Sequence, residues 1–367
     1  MNKSGDIKSV KVKTPQQRRA MQRSLLTWYD ARGRTLPWRV RPEDRAKGIM
    51  ADPYAVWLSE IMLQQTTVPH AAPYWAAFLA RFPTVSDLAR ADRDVVLAMW
   101  AGLGYYARAR NLHKCAGVIA VEHDGVFPNT EAALLKLPGI GPYTAATIAA
   151  ICFNEATNIV DGNVERVISR IFTVQTPLPK ARGELRELAG TLASPKRPGD
   201  YGQALMDLGA TICTPRSPQC GICPWQKQCA AFKAGTAADY PKKVKKAKLP
   251  IRYGAVFVLK AGDMVLLERR ADKGLLGGMM GFPGSGWGDR PQNPLASAPH
   301  VRNWEKCTSE KFGGDIRHIF THFDLRLSVY RAELSAPTEE GIWAQLSDIK
   351  TYALPTVMRK VLALAQK

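Results

Sequence analysis

The chain has no apolar run long enough to span a membrane, although 46% of its 367 residues are hydrophobic. Its opening, MNKSGDIKSVKVKTPQQRRAMQR, is basic but has neither the apolar core nor the cleavage signal of a secretory leader. Secretion is therefore not expected. A cytoplasmic location is expected, on the nucleoid if the source is bacterial. Internal repeats are absent. Acidic residues are scarce: 32 Asp and Glu face 51 Lys and Arg, a formal charge of +19. That imbalance fits a polyanionic partner, or more blandly a basic solvated surface. Cysteines number seven, and Cys115, Cys152 and Cys307 are scattered, as ordinary buried thiols would be.

The other four cysteines lie together as C-x6-C-x2-C-x5-C, at Cys213, Cys220, Cys223 and Cys229. Without a secretion signal, such clustering suggests a metal site more than disulfides. Zinc and an iron–sulfur cluster both remain open on chemistry alone. Zinc sites usually use two separated C-x-x-C knuckles. Only one is present, which tilts the spacing toward 4Fe–4S.

The length suits two domains. Up to about residue 232 apolar residues recur at helical intervals between Pro, Gly and Asn signals. A lysine-rich stretch, 234–250, breaks the pattern and reads as a linker. Beyond it, RYGAVFVLK and MVLLERR predict a hairpin, HIFTHFDLRLSVYRAEL a long alternating strand, and the final LPTVMRKVLALAQK a helix. The expected layout is a basic tail over 1–20, an all-α domain over 21–233, the linker, and a smaller α/β domain over 251–367.

Four stretches of the first domain could carry chemistry. In LKLPGIGPYTAATIAAI, Gly139 and Gly141 predict a tight turn between helices, with Pro142 opening the second. Glycines there let a phosphate approach the N–H groups at a helix start; an ordinary capped helical hairpin is the plainer alternative. In DPYAVWLSEIMLQQTTV, apolar residues surround Glu60, so that helix should be buried. A buried carboxyl is pushed toward its neutral form, as a general acid near neutral pH requires. The alternatives are a paired or solvent-facing Glu60. Gln64 and Gln65 begin the polar end. In NIVDGNVERV, Asp161 could simply cap a helix starting near Asn163, or sit at the rim of a cleft. In GLGYYARARNL, Arg108 and Arg110 could neutralise phosphates and a tyrosine could wedge between bases, unless this is only a turn before a surface helix.

These motifs, in this order and together with the cysteine loop, resemble the helix-hairpin-helix DNA glycosylases, and among them the MutY family of adenine glycosylases. The resemblance covers nearly the whole chain. It implies a mainly α catalytic domain, built from a six-helix module and an iron–sulfur module, followed by a smaller α/β Nudix-like domain. It also implies one 4Fe–4S cluster on the four cysteines, away from the chemistry, with Arg216 and Lys227 on its loop facing phosphate. The implied partner is double-stranded DNA carrying adenine opposite 8-oxoguanine or guanine, met by a monomer and not by a membrane.

By the same resemblance, Glu60 protonates adenine and Asp161 stabilises the oxocarbenium-like sugar, a division of labour like that of the glycosidases. Tyr143 and Asn163 orient groups around them. Arg39 and Gln203 contact the flipped adenine. Gln65 and Tyr105 act as wedges, with Gln64 beside them on the DNA. Tyr143 stands where endonuclease III-like relatives carry a lysine, and a tyrosine forms no imine, so a monofunctional enzyme is implied. Phe320, Thr321 and His322 correspond to a Phe-Ser-His loop that reads 8-oxoguanine, with Thr321 departing from serine. Taken as one strand, that stretch puts Ile319, Thr321, Phe323, Leu325 and Leu327 on the core face. Phe320 then falls on the polar face, as a wedge or as satellite core. No R-E-x-x-E-E stretch follows GFPGSG, so no pyrophosphatase metal site is expected. The competing readings are a pyrimidine glycosylase with lyase activity, a Nudix pyrophosphatase tethered to DNA, and a non-enzymatic iron–sulfur DNA-binding protein.

Overall fold

The computed structural model describes residues 13–244, 247–290, 311–338 and 341–366. Its helices are α1 (Pro15–Arg32), α2 (Pro42–Arg45), α3 (Pro53–Leu63), α4 (Val68–Arg81), α5 (Val85–Arg90), α6 (Arg93–Trp100), α7 (Ala107–Glu122), α8 (Glu131–Leu134), α9 (Pro142–Phe153), α10 (Gly162–Phe172), α11 (Arg182–Leu192), α12 (Pro198–Asp207), α13 (Ala230–Lys233) and α14 (Thr356–Ala365). The strands are β1 (Ile251–Ala261), β2 (Met264–Arg269), β3 (Met280–Gly281), β4 (Lys311–Ile319), β5 (Asp324–Glu333) and β6 (Ile342–Gln345). No helix among the described residues is long and apolar enough to cross a membrane.

Two compact units form. One takes the chain to Gln64 and again from Val118 to Lys245; the other takes Gln65–Gly117 and Lys246 onward. In the first unit, α1 starts inside the stretch read as a basic tail. Thr14 explains the start: its hydroxyl and the Gln17 side chain satisfy each other's backbone N–H groups, and Pro15 opens the first turn. α1, α10, α11 and α12 enclose a core that includes Met21, Leu25, Ile168, Leu185 and Leu205. The predicted helical hairpin is present. α8 ends at Leu134, Gly139 turns the chain at a φ of 78°, and Gly141 precedes α9. A β-carbon at Gly141 would meet only open space, so the start of α9 is accessible to a ligand.

In the second unit the sheet order is β3-β2-β1-β5-β4, with β6 also on β2. β1 and β2 form the expected hairpin, and β1 runs parallel to β5. α14 presents Val357, Met358, Val361 and Leu362 to the core. One expectation fails. The stretch from His318 to Tyr330 is not a single strand. β4 stops at Ile319, residues 320–323 turn, and β5 starts at Asp324, with Ile319 opposite Asp324 and His318 opposite Leu325. The Phe320 N–H donates to the Phe323 carbonyl at 2.9 Å, and Arg317 grips Asp324 at the base of the turn. The predicted core face is therefore wrong at Ile319, which is 58% exposed, and at Thr321, which is also exposed, while Ile316 faces inward. Cys115 and Cys152 are buried thiols as expected, and Cys307 lies outside the described residues.

Candidate active site and cysteine loop

α3 carries Glu60 into the first unit. Asp52 caps the helix by accepting from the Tyr54 N–H, and Val56, Trp57, Leu58, Ile61 and Met62 are all buried around the carboxyl. Glu60 is itself only 6% exposed. Among the described residues it has no ion pair. The Tyr143 hydroxyl, on the first turn of α9, donates to its Oε2 at 2.6 Å. Burial pushes Glu60 up to about 7, against the Tyr143 bond and the distant Arg39 charge, and with help from Asp161. It is thus neither paired nor solvent-facing. Burial also raises Tyr143 far above a phenol's usual range, as do the charges of Glu60 and Asp161, so Tyr143 is a neutral donor to Glu60.

Asp161 does cap a helix, and both its oxygens are engaged. Oδ1 accepts from the Val164 N–H at 2.8 Å and Oδ2 from the Asn163 amide at 2.7 Å. Arg166 in turn donates to Asn163 Oδ1, to the Gly209 carbonyl and to the Cys213 carbonyl, each at 2.8 Å. Gly209 presses on Asn163: a β-carbon there would come within 2.6 Å of the Asn163 Cβ. The loop bearing Cys213 is therefore tied to the carboxylate through Arg166 and Asn163.

Gln203 is buried here, and so is the side chain of Arg39. Arg39 makes a two-pronged pair with Asp207 at 2.8 and 3.0 Å, and Arg34 donates to the same carboxylate from its N–H and its Nε. Gln203 is 1% exposed, and its Nε2 has no hydrogen-bond partner among the described residues. A dry, unpaired amide nitrogen is costly and marks a place where a ligand acceptor would fit.

The four cysteines line one pocket together with Arg170 and Trp225. Among the described residues no group of three His, Cys, Asp or Glu side chains is set to hold a single metal ion. Four thiols standing around a shared space fit a cluster better. Arg170, fully buried on α10, braces the loop by donating to the Cys213, Thr214 and Pro215 carbonyls and to Cys213 Sγ, and to Tyr240 on the far side. Trp225 anchors the loop to α1 through the Met21 carbonyl. Arg216 and Lys227 are exposed.

In the second unit, Gly102, Gly104 and Tyr105 all adopt left-handed φ values, 123°, 69° and 49°. Gln65 does so at 60°. Tyr105 is half exposed, and its hydroxyl lies 3.2 Å from Thr321 Oγ1. Arg108 and Arg110 each donate to protein through one guanidinium nitrogen: Arg108 holds the Leu103 and Gly104 carbonyls, and Arg110 holds the Gly277 carbonyl. Thr321 and His322 are exposed, whereas Phe320 sits in an aromatic group with His318, Trp287 and Phe323. Gln64 ends α3 and is partly exposed.

Comparison with known proteins settles the class. Residues 58–190 match the family of HhH-GPD superfamily base excision DNA repair proteins, 213–229 the iron-sulfur binding domain of endonuclease III, and 255–364 the NUDIX domain. The chain is 33% identical to the human adenine DNA glycosylase over 95% of its own length and 74% of that protein's. It is 31% identical to the Buchnera aphidicola adenine DNA glycosylase over 94% of itself and 96% of that protein. The chain belongs to the adenine DNA glycosylase family. With the Arabidopsis thaliana adenine DNA glycosylase it shares 37% identity, spanning 62% of that longer protein. Among solved structures, a thermostable thymine-DNA glycosylase superposes with a TM-score of 0.53 at 29% identity, over 60% of this chain and 98% of the other. A non-covalent endonuclease III–DNA complex, at 20% identity and a TM-score of 0.50, shares the fold over 61% of this chain and 99% of its own.

This adenine DNA glycosylase family member thus carries an iron–sulfur binding domain, and the thiol arrangement fits it. Purified protein should be yellow-brown and hold about four irons per chain. Finding one zinc and no iron by metal analysis would overturn that. The sequence reading missed four residues of the site: Arg34, Arg166, Arg170 and Asp207. A signal existed for the last three. Asp207 follows Gln203 by one helical turn, and Arg166 and Arg170 are likewise one turn apart, just after Asp161.

Proposed function

We propose that the chain excises adenine mispaired with 8-oxoguanine or guanine from duplex DNA, as a monomer in the cytoplasm. It would hydrolyse the N-glycosidic bond and leave the strand uncut. The observation that carries this is Glu60: a buried carboxyl, half protonated near neutrality, bonded to a tyrosine and raised further by the charge of a second carboxylate, Asp161.

The target adenine leaves the stack. Glu60 donates its proton to N7, which makes the base a better leaving group. As the C1′–N9 bond breaks, positive charge develops on the sugar. Asp161, held by Val164 and Asn163, offsets that charge. Water adds at C1′ and loses a proton, which returns to the Glu60 carboxylate, giving an abasic site and free adenine. Tyr143 keeps Glu60 in place and cannot form the imine that a lysine would, so no efficient strand cleavage follows. The orphan Gln203 amide donates to an acceptor on the base edge, and Arg39, fixed by Asp207, contacts the same base. The backbone around Gly139 and Gly141 holds a phosphate at the α9 start. Gln64, Gln65 and Tyr105 meet the strands where the base has left. Arg108 and Arg110 support this by shaping the 102–110 segment, since both donate to protein carbonyls.

The test is incubation with duplexes carrying A opposite 8-oxoguanine, resolved on gels with and without alkali. Breakage only after alkali is expected. Cutting without alkali, or no reaction, argues for one of the other readings.

Lesion preference is assigned to the 320–323 turn. Its exposed Thr321 hydroxyl can bond an altered purine edge, with His322 beside it and Phe320 supporting the turn. A well-placed base contact is worth roughly 1–3 kcal/mol. Replacing Phe320 and Thr321 together with alanine should therefore shrink the preference for the 8-oxoguanine duplex over the guanine duplex by about ten-fold. Product-analogue binding at one fixed salt concentration reads this, and an unchanged ratio would move lesion reading elsewhere.

A further inference from the structure

The second unit joins two stretches far apart in sequence, Gln65–Gly117 and the chain from Lys246 onward. The first carries Tyr105 and the second carries Thr321, whose hydroxyls lie 3.2 Å apart. One contact between exposed side chains does not set that spacing by itself. The groups that fix it lie at the start of α6 and the start of α7, on either side of the Tyr105 loop.

Arg93 and Asp94 open α6 behind their cap, Asp92. They are consecutive residues of opposite sign, and each faces its opposite. Arg93 reaches Asp272 through two nitrogens, at 3.1 and 2.6 Å. Arg269 reaches Asp94 in the same two-pronged way. Exchanging the partners would set Arg93 against Arg269 and Asp94 against Asp272, so like-charge repulsion leaves one register. Single exposed ion pairs contribute little, but bidentate pairs in a network are the exception. These pairs form a network: Asp272 is held below the usual carboxylate range chiefly by Arg93, with the charges of Arg110 and Arg269 adding to it. The backbone makes room for them. A β-carbon at Gly278 would come within 2.5 Å of Arg93 Nη2 and 3.0 Å of Asp272 Oδ1, so the pair lies on bare main chain. Past the Tyr105 loop, Arg110 in the first turn of α7 donates to the Gly277 carbonyl. The 269–278 segment is thus gripped from both sides of that loop. It continues β2, in the sheet that also holds β4 and β5.

We propose that Arg93, Asp94, Arg269 and Asp272 are specificity-positioning residues for the excision reaction. Their crossed pairs fix Tyr105 against Thr321, so that the wedge and the lesion-reading hydroxyl meet the duplex as one rigid piece. They act through the loop and the sheet, not on the base. This rests on the assignment of lesion reading to the 320–323 turn.

The test uses the full-length holoprotein in three forms: the parent, Arg93→Asp, and the charge swap that combines Arg93→Asp with Asp272→Arg. Arg93→Asp sets two carboxylates face to face. The affinity ratio for product-analogue duplexes carrying 8-oxoguanine or guanine should fall about five-fold, and the swap should return it to within about two-fold of the parent. A lost phosphate contact would change both affinities alike and leave the ratio alone. Amide hydrogen exchange on the free protein reads the clamp without DNA. Residues 101–105 and 270–278 should exchange faster in Arg93→Asp and recover in the swap. If Arg93→Asp melts early, Asp272→Asn on the exposed segment replaces it, and the ratio should fall about two-fold. An unchanged ratio overturns the proposal, and so does a fall that the swap leaves unrepaired. A parent with equal affinity for both duplexes overturns the lesion assignment and the specificity role with it. Faster amide exchange in Arg93→Asp would then still show the clamp, which tells that failure from a failure of the crossed pairs.

Discussion

Glu60→Gln is expected to keep duplex affinity and to slow adenine release by about 10²–10⁴-fold, the usual contribution of a positioned general acid. Glutamine preserves the shape of the side chain and an acceptor for the Tyr143 hydroxyl, so binding should survive. It has no proton to give. The pH dependence follows from the same group. Glu60 must begin protonated, and it loses its proton around pH 7, so single-turnover release by the parent should fall above that value. Stability carries a matching signature. The folded value is raised above the ordinary 4.5, so the folded state holds the proton more tightly. That contribution is complete below 4.5 and is lost as pH rises to 7. Glutamine never ionises. Relative to the parent, Glu60→Gln should therefore gain on the order of 3 kcal/mol across that window and hold the gain above it. Release within a few-fold of the parent, or a rate that climbs steadily into alkali, would take the acid role from Glu60.

Arg170→Leu should be the most damaging single change to the fold of the first unit. Arg170 is 1% exposed and donates to the carbonyls of Cys213, Thr214, Pro215 and Tyr240. A leucine fills part of the space but leaves four carbonyls without that donor. Each such loss costs about 1–3 kcal/mol, and because the losses share one side chain they do not add fully. A total on the order of 4 kcal/mol is expected. The loop should then release iron well before the parent does. Thermal melting followed by both circular dichroism and cluster absorbance checks this. A transition within about 2 °C of the parent with full iron content would mean that the cysteine loop stands without its brace.

Much of this was legible in the sequence where local chemistry decides structure. Pro142 after Gly141 and Pro53 after Asp52 mark helix starts with little dependence on the rest of the chain, and both starts are where they were expected. Glu60 was legible because an apolar ring around one acid constrains where that acid goes. The partner of Arg39 was not. Asp207 lies far along the chain, and only packing brings the two together. Arg108 and Arg110 read as phosphate ligands because charge is visible in a sequence, whereas the carbonyls that hold one nitrogen of each guanidinium are not. The 320–323 turn was missed for a different reason. Phe, Thr, His and Phe include none of the residues that usually announce a turn. The apolar alternation on its two sides looks continuous, although even-numbered Ile316 faces inward in β4 and odd-numbered Leu325, Leu327 and Val329 do so in β5.

That change of parity limits what can happen to the turn over generations. Ile316 pairs with Leu327 and Ile319 with Asp324, so the count of intervening residues alone decides which side of β4 faces the core. Substitutions within the turn leave the count intact and can retune what the loop touches. A one-residue deletion or insertion would rotate β4 by a full face, placing Ile316 in water and Arg317 against the core. Variation in this segment should therefore be generous in side chain and strict in length.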